Sequence, residues 1–161
     1  MLNIPEEILV FGVAAAPIVE LRGSIPLAVG VYGMPVIWAA IVSVLGNLVP
    51  IFLIYGIGQA WIDWVKNKDN FLQRWTDGVL RRSHRVFHDG KYEKYGLLAL
   101  SLFVAIPLPI TGVWTGTVAA LLFGIPLRRS FPYIAFGVVI AAVIVSLITS
   151  GAISFLDFLL K

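Results

Sequence analysis

The chain has 161 residues, 59% hydrophobic and 13% charged, with a mean hydropathy of +0.92 and a formal net charge of +3. A soluble domain is roughly 25% charged, so this composition excludes an ordinary water-soluble monomer and predicts an integral membrane protein. With no cysteines, disulfides and thiolate metal sites are excluded too.

Glu6 and Glu7 open the chain ahead of the apolar run Ile8 to Val19. An acidic start is the wrong sign for a cleaved leader, despite the small residues Ala14-Ala15-Ala16. The run is about 18 Å long as a helix, too short to cross, and it meets Glu20, Arg22, Gly23 and Pro26. Next, Val36 to Ile62 contains no Lys, Arg, Asp or Glu and is long enough for the ~30 Å hydrocarbon layer. From Asp63 to Lys94 lie thirteen of the chain's 21 Asp, Glu, Lys and Arg residues, which marks a polar connector. The apolar piece Tyr95 to Ile106 is again short and meets Pro107, Pro109 and Gly112. Tyr133 to Leu156 is the second long uncharged span.

Short apolar pieces that end in breakers read as re-entrant legs. The expected fold is an all-α integral membrane protein of two inverted repeats, each a re-entrant helical hairpin followed by a long transmembrane helix. A single membrane domain, 1–161, would comprise repeat 1 (about 5–62), the connector (about 63–94) and repeat 2 (about 95–160). Internal similarity supports this. Tyr32-Gly33-Met34-Pro35 and Phe123-Gly124-Ile125-Pro126 stand 91 residues apart, and the same offset carries Gly46 onto Gly137. Broken segments in corresponding positions are the mark of repeated transporter halves.

The connector holds eight Lys or Arg, and Arg128 and Arg129 precede the last helix. The positive-inside rule then puts the connector in the cytoplasm and both termini outside, in a multi-pass protein of the cell membrane. Within the connector, Phe71, Leu72, Trp75 and Val79 alternate with basic residues. That pattern fits an amphipathic helix on the membrane surface, or equally a linker helix packed on the membrane domain.

Glu20 and Arg22 are the residues that most need explaining, because a charge at mid-bilayer costs roughly 2.5 to 3.5 kcal/mol. They would meet if the backbone is broken here, as Pro17, Gly23, Ser24 and Pro26 suggest, and irregular backbone at depth lines a cavity or is covered by protein. In the functional reading Arg22 receives an anion, Glu20 carries a proton, and the start of a half-helix near Gly23 to Ile25 adds donors. In the structural reading the pair fixes the turn. The second turn is uncharged but offers Thr111, Thr115, Thr117 and Trp114, between structural residues Pro107, Pro109 and Gly112. These could complete the site or satisfy opened backbone. Asn47, mid-span beside Gly46, suits packing better than ligand binding. His84 and His88 share a helix face but lack the pattern of a metalloprotease, so no metal site is expected. No nucleotide-binding or hydrolase motif is present, and no cofactor, catalytic residue or nucleic-acid partner is expected.

Glu20-Leu-Arg-Gly-Ser-Ile-Pro-Leu-Ala28 and Pro107-Leu-Pro-Ile-Thr-Gly-Val-Trp-Thr-Gly116, with Gly46-Asn47, resemble the signatures of the small multidrug export protein family. That family is similar to the DedA superfamily, which includes lipid translocases and scramblases. The resemblance implies two facing re-entrant hairpins. DedA proteins carry further acidic and arginine residues around the second hairpin; here that turn is uncharged. The expected function is transport or translocation of a small anionic or lipid-like substrate, with membrane lipids as partners. The binding set would be Glu20, Arg22, Gly23, Asn47, Thr111, Trp114 and Thr115. The alternatives are a membrane-embedded enzyme using Glu20 on lipid headgroups, or a structural assembly subunit. Gly56 and Gly58 could pack helices within the chain or in a homo-oligomer.

Overall fold

Prolines and glycines divide the apolar sequence into helices. The computed structural model describes residues 5–66, 90–107 and 111–159, and among them are six helices and no strand. In chain order they are α1 (Glu6–Ala15), α2 (Glu20–Gly30), α3 (Val36–Lys66), α4 (Gly90–Ala105), α5 (Val113–Leu122) and α6 (Leu127–Leu159). Residues 67–89, with the stretch around Trp75 and both histidines, lie outside the described residues.

Local chemistry explains the boundaries. Glu6 and Glu7 sit in the first turn of α1, at the positive end of its dipole. Gly33 and Gly124 take φ of +64° and +68° just before the two long helices. Only glycine adopts that backbone without strain, hence glycine in both aromatic-Gly-apolar-Pro units. The long helices run further than hydropathy predicts. The first continues to Lys66, and α6 begins at Leu127, so Arg128 and Arg129 belong to its first turn. Pro50 and Pro132 lie inside them, each forfeiting one backbone hydrogen bond that a long packed helix can lose. Likewise α4 starts at Gly90, inside the charged stretch that composition assigned to the connector.

Two apolar spans, Val36–Gly58 and Leu127–Phe155, have 23 and 29 residues. These cover about 34 and 44 Å, enough to cross ~30 Å of hydrocarbon. Only 44% and 33% of their apolar windows are buried within the molecule, so most of that surface faces outward, unlike the core helix of a soluble protein.

The first helix packs on α3, and α4 packs on α6. The short second helices reach across: α2 touches α3 and α6, and α5 touches α6 and α3. Helix backbones approach each other closely at Gly46 and Gly137. A Cβ on Gly46 would collide with the Phe11 carbonyl and Ala14 in α1, and one on Gly137 with the Ser101 carbonyl and Val104 in α4. Gly58 packs within the chain, flush against Leu121 of α5, whereas Gly56 faces open space. Ile25, Ile51, Val104, Val113, Ile134 and Val138 bring five helices into one buried core. The Tyr55 hydroxyl donates to the Ile125 carbonyl at 2.8 Å and lies 2.7 Å from Ser130 Oγ, tying α3 to the start of α6.

Candidate functional site

The chain breaks between α1 and α2 at residues 16–19, where Pro17 sits. Glu20 follows with a φ of +51°, a left-handed backbone that costs a non-glycine residue roughly 1–3 kcal/mol. That turn lets side chains two residues apart meet. Arg22 Nη2 lies 3.7 Å from Glu20 Oε2, although i and i+2 diverge on a regular helix.

The break comes earlier than the sequence suggests. Gly23 and Pro26, expected in the turn, lie inside α2. The fixed φ of Pro26 is helical, and the helix loses only the bond its missing N–H would have given to the Arg22 carbonyl. An irregular backbone at depth would leave several groups to satisfy. At Gly23 the requirement is space, since a Cβ there would strike the Val19 side chain. The helix start expected near Gly23 to Ile25 is therefore at Glu20, and it holds the acid rather than an anion site.

Across the molecule, α4 ends at Ala105, ahead of Pro107, and Pro109 lies outside the described residues. The Thr111 hydroxyl donates to the Ile106 carbonyl at 2.6 Å and accepts from Arg22 Nη2 at 3.4 Å. Gly112 is the N-cap of α5, in an extended conformation. The first N–H groups of α5, from Val113 and Trp114, donate to the Glu20 carboxylate. A Cβ on Gly112 would collide with that same carboxylate. So Glu20, 5% exposed, caps a helix of the other half of the chain. Trp114 returns the contact: its Nε1 donates to the Ala15 carbonyl at the end of α1, at 3.2 Å, satisfying one of the carbonyls a helix terminus leaves open. The Thr115 hydroxyl turns back to the Gly112 carbonyl at 3.4 Å.

Glu20, Arg22, Thr111, Gly112 and Trp114 thus converge where the two breaks meet. Asn47 is buried in α3, and its Oδ1 has no hydrogen-bond partner among the described residues. Sequence reasoning missed the buried Ser24–Ser43 hydrogen bond, 2.7 Å between oxygens, which joins α2 to α3. The available signal was small hydroxyl residues in otherwise apolar helices, which favour interhelical bonds. Among the described residues, no three His, Asp or Glu side chains group in a way that could hold a metal ion.

Residues 20–144, more than three quarters of the chain, match the family described as "Putative small multi-drug export protein". The chain belongs to that family. The match begins at Glu20, directly after the first break, and takes in the second. No curated protein and no solved structure matches the chain. Membership of a small multi-drug export family, with the two long apolar helices, identifies a membrane protein and points to export as its role.

Proposed function

We propose that the protein moves a small anionic or lipid-like substrate across the membrane, using Glu20, Arg22, Thr111 and the start of α5 as its binding site. The observation that carries this reading is the Glu20 carboxylate on the Val113 and Trp114 N–H groups beside the Arg22 guanidinium. Helix starts and arginine are the groups that bind anions, and here a carboxylate of the chain itself occupies them. An arriving anion takes its place while Glu20 accepts a proton. Empty, the site holds one positive and one negative charge; loaded, it holds Arg22, a neutral Glu20 and the anion. The net charge is zero in both states, so a monoanion and a proton load together without leaving an unpaired charge in a low-dielectric site.

The architecture proposed is a pair of inverted repeats in one membrane domain, α1–α3 and α4–α6, with re-entrant hairpins at α1–α2 and α4–α5. Support comes from helices α1, α2 and α5, which have 10, 11 and 10 residues and are about 15 Å long, half the hydrocarbon thickness. It also comes from matching left-handed glycines and matching close approaches at Gly46 and Gly137. The same layout underlies the proposed kinship with the DedA superfamily and the orientation in the cell membrane, with the connector cytoplasmic.

Proteoliposomes test the function. Wild type, Glu20→Gln and Arg22→Gln are compared for movement of labelled phospholipid, polyprenyl phosphate and small organic anions, with and without a pH gradient. The expected result is flux by wild type, none by Arg22→Gln, and flux insensitive to the gradient in Glu20→Gln. Equal flux in all three proteins would falsify the site. Turnover of a lipid headgroup in detergent would favour an enzyme instead.

A further inference from the structure

The transport step proposed above moves the Glu20 carboxylate off the start of α5 and gives it a proton. A carboxylate only accepts hydrogen bonds, whereas a protonated acid donates one. The partners Glu20 has in the structure, the Val113 and Trp114 N–H groups and the Arg22 guanidinium, are all donors. The displaced acid therefore needs an acceptor, because a buried donor without one is costly.

Asn47 has such an acceptor to offer. It is 1% exposed, and its Oδ1 has no hydrogen-bond partner among the described residues. The neighbouring hydroxyls are engaged: Thr111 with the Ile106 carbonyl and Arg22, and Ser24 with Ser43. Thr117 Oγ1 is also buried without a partner, but Thr117 stands a turn beyond the N–H groups that the acid must vacate.

Register brings Asn47 to Glu20. The Ser24–Ser43 bond joins α2 to α3, and Ala28 and Ala39 share a buried cluster, so the two helices run antiparallel. One turn back from Ser24 is Glu20, and one turn on from Ser43 is Asn47, which sets the two level. The face follows from the same contacts. Ser43 faces α2, and Gly46 faces α1. At about 100° per residue, Asn47 lies about 40° from Ser43, on the side away from Gly46. Ile51, the next residue on that face, belongs to one core cluster with Leu21 and Val113, the chain neighbours of Glu20 and Gly112.

Among the described residues, the charged group facing Glu20 is Arg22. Glu6 and Glu7 stand at the other end of α1. No Asp, Glu, Lys or Arg occurs from Val36 to Ile62 or in α5, and Arg128 and Arg129 lie in the first turn of α6. That turn is beside Tyr55, two turns along α3 from Asn47.

We infer that Asn47 is a positioning residue for the loaded state, its amide oxygen accepting the hydrogen bond of protonated Glu20 once a substrate anion has taken the carboxylate's place. This rests on the reading that Glu20 takes up a proton. The proton passes from water to a Glu20 oxygen, and Asn47 neither gains nor loses one. A bond to the neutral form favours that form, so Asn47 holds the acid off the helix start and leaves the N–H groups to the anion.

Infrared difference spectroscopy tests this on the full chain, titrated with acid in dodecyl maltoside, a detergent without carbonyl groups. Glu20→Gln identifies the Glu20 acid band by its loss. In wild type that band should have the frequency of an acid whose O–H donates. Asn47→Leu, or Asn47→Ala where leucine does not fold, should move the band to higher frequency. Its midpoint should move to lower pH, with proton affinity reduced severalfold. Ser43→Ala, one turn away, should change neither. A free-acid frequency in wild type, or an unchanged band in the Asn47 variant, would overturn the inference while Glu20 protonation stands. Equal shifts in the Asn47 and Ser43 variants would make the amide a packing group, and a shift in Thr117→Val alone would assign the bond to α5. No Glu20 band at any pH at which the protein stays folded would instead overturn proton uptake, and the transport reading with it.

Discussion

At the residue scale, the molecule turns on one carboxylate. The spacing of Glu20 and Arg22 suggested a meeting of charges, and the price of charge in lipid suggested that both needed partners. The partner of Glu20 was not legible, because the start of α5 lies more than ninety residues away and its donors are backbone groups that any sequence would supply. Gly112 is the trace it left. The residue has an extended backbone that any side chain could adopt, yet a Cβ there would strike the Glu20 carboxylate. Gly112→Ala should therefore push the carboxylate off its two N–H groups and destabilise the protein by about 1–3 kcal/mol. In a Glu20→Ala background the same change should cost much less, since the two residues share one contact. Thermal unfolding of the four proteins in detergent measures this coupling. Additive effects would mean that the glycine serves something other than the acid.

At the element scale, glycine and tyrosine decide how the helices sit. Gly46 and Gly137 let α1 and α4 approach the long helices until carbonyl oxygens meet the glycine backbone. Replacing either with leucine should separate that pair of helices and cost about 1–3 kcal/mol or more, as overpacking does. Gly56→Leu, which faces open space, should be neutral on the same unfolding assay. Tyr55→Phe removes the hydroxyl that reaches Ile125 and Ser130. A loss of about 1 kcal/mol is expected, that of a typical hydrogen bond, and Tyr55→Leu should lose more through packing. The existence of the long helices was plain from hydropathy, and the two glycines were visible as a repeat. Their boundaries were not. A proline or arginine near a helix start looks like an end in sequence, but Pro132, Arg128 and Arg129 all lie within α6. Pro26 misled in the same way, since a helix gives up one bond more cheaply than a turn at depth gives up several.

At the scale of the whole molecule, the proposed inverted repeat makes a topological prediction. Cysteines introduced one at a time at Glu6 and Lys91 should differ in intact cells. The first should react with a membrane-impermeant thiol reagent added outside, and the second only after permeabilisation. Reaction of both from the same side would break the inversion. Much of the class of this protein was already settled by composition. A chain this apolar, with its charges gathered into one segment, has to hide most of its length from water, and burial energy depends on composition and run length alone. The helical class and the two spans follow from that. How the halves engage does not. The carboxylate of one half capping a helix of the other and the indole of Trp114 closing the end of α1 each join groups distant in the chain. Such contacts depend on backbone donors and on the directions side chains take after packing, and a linear pattern of residue types carries neither.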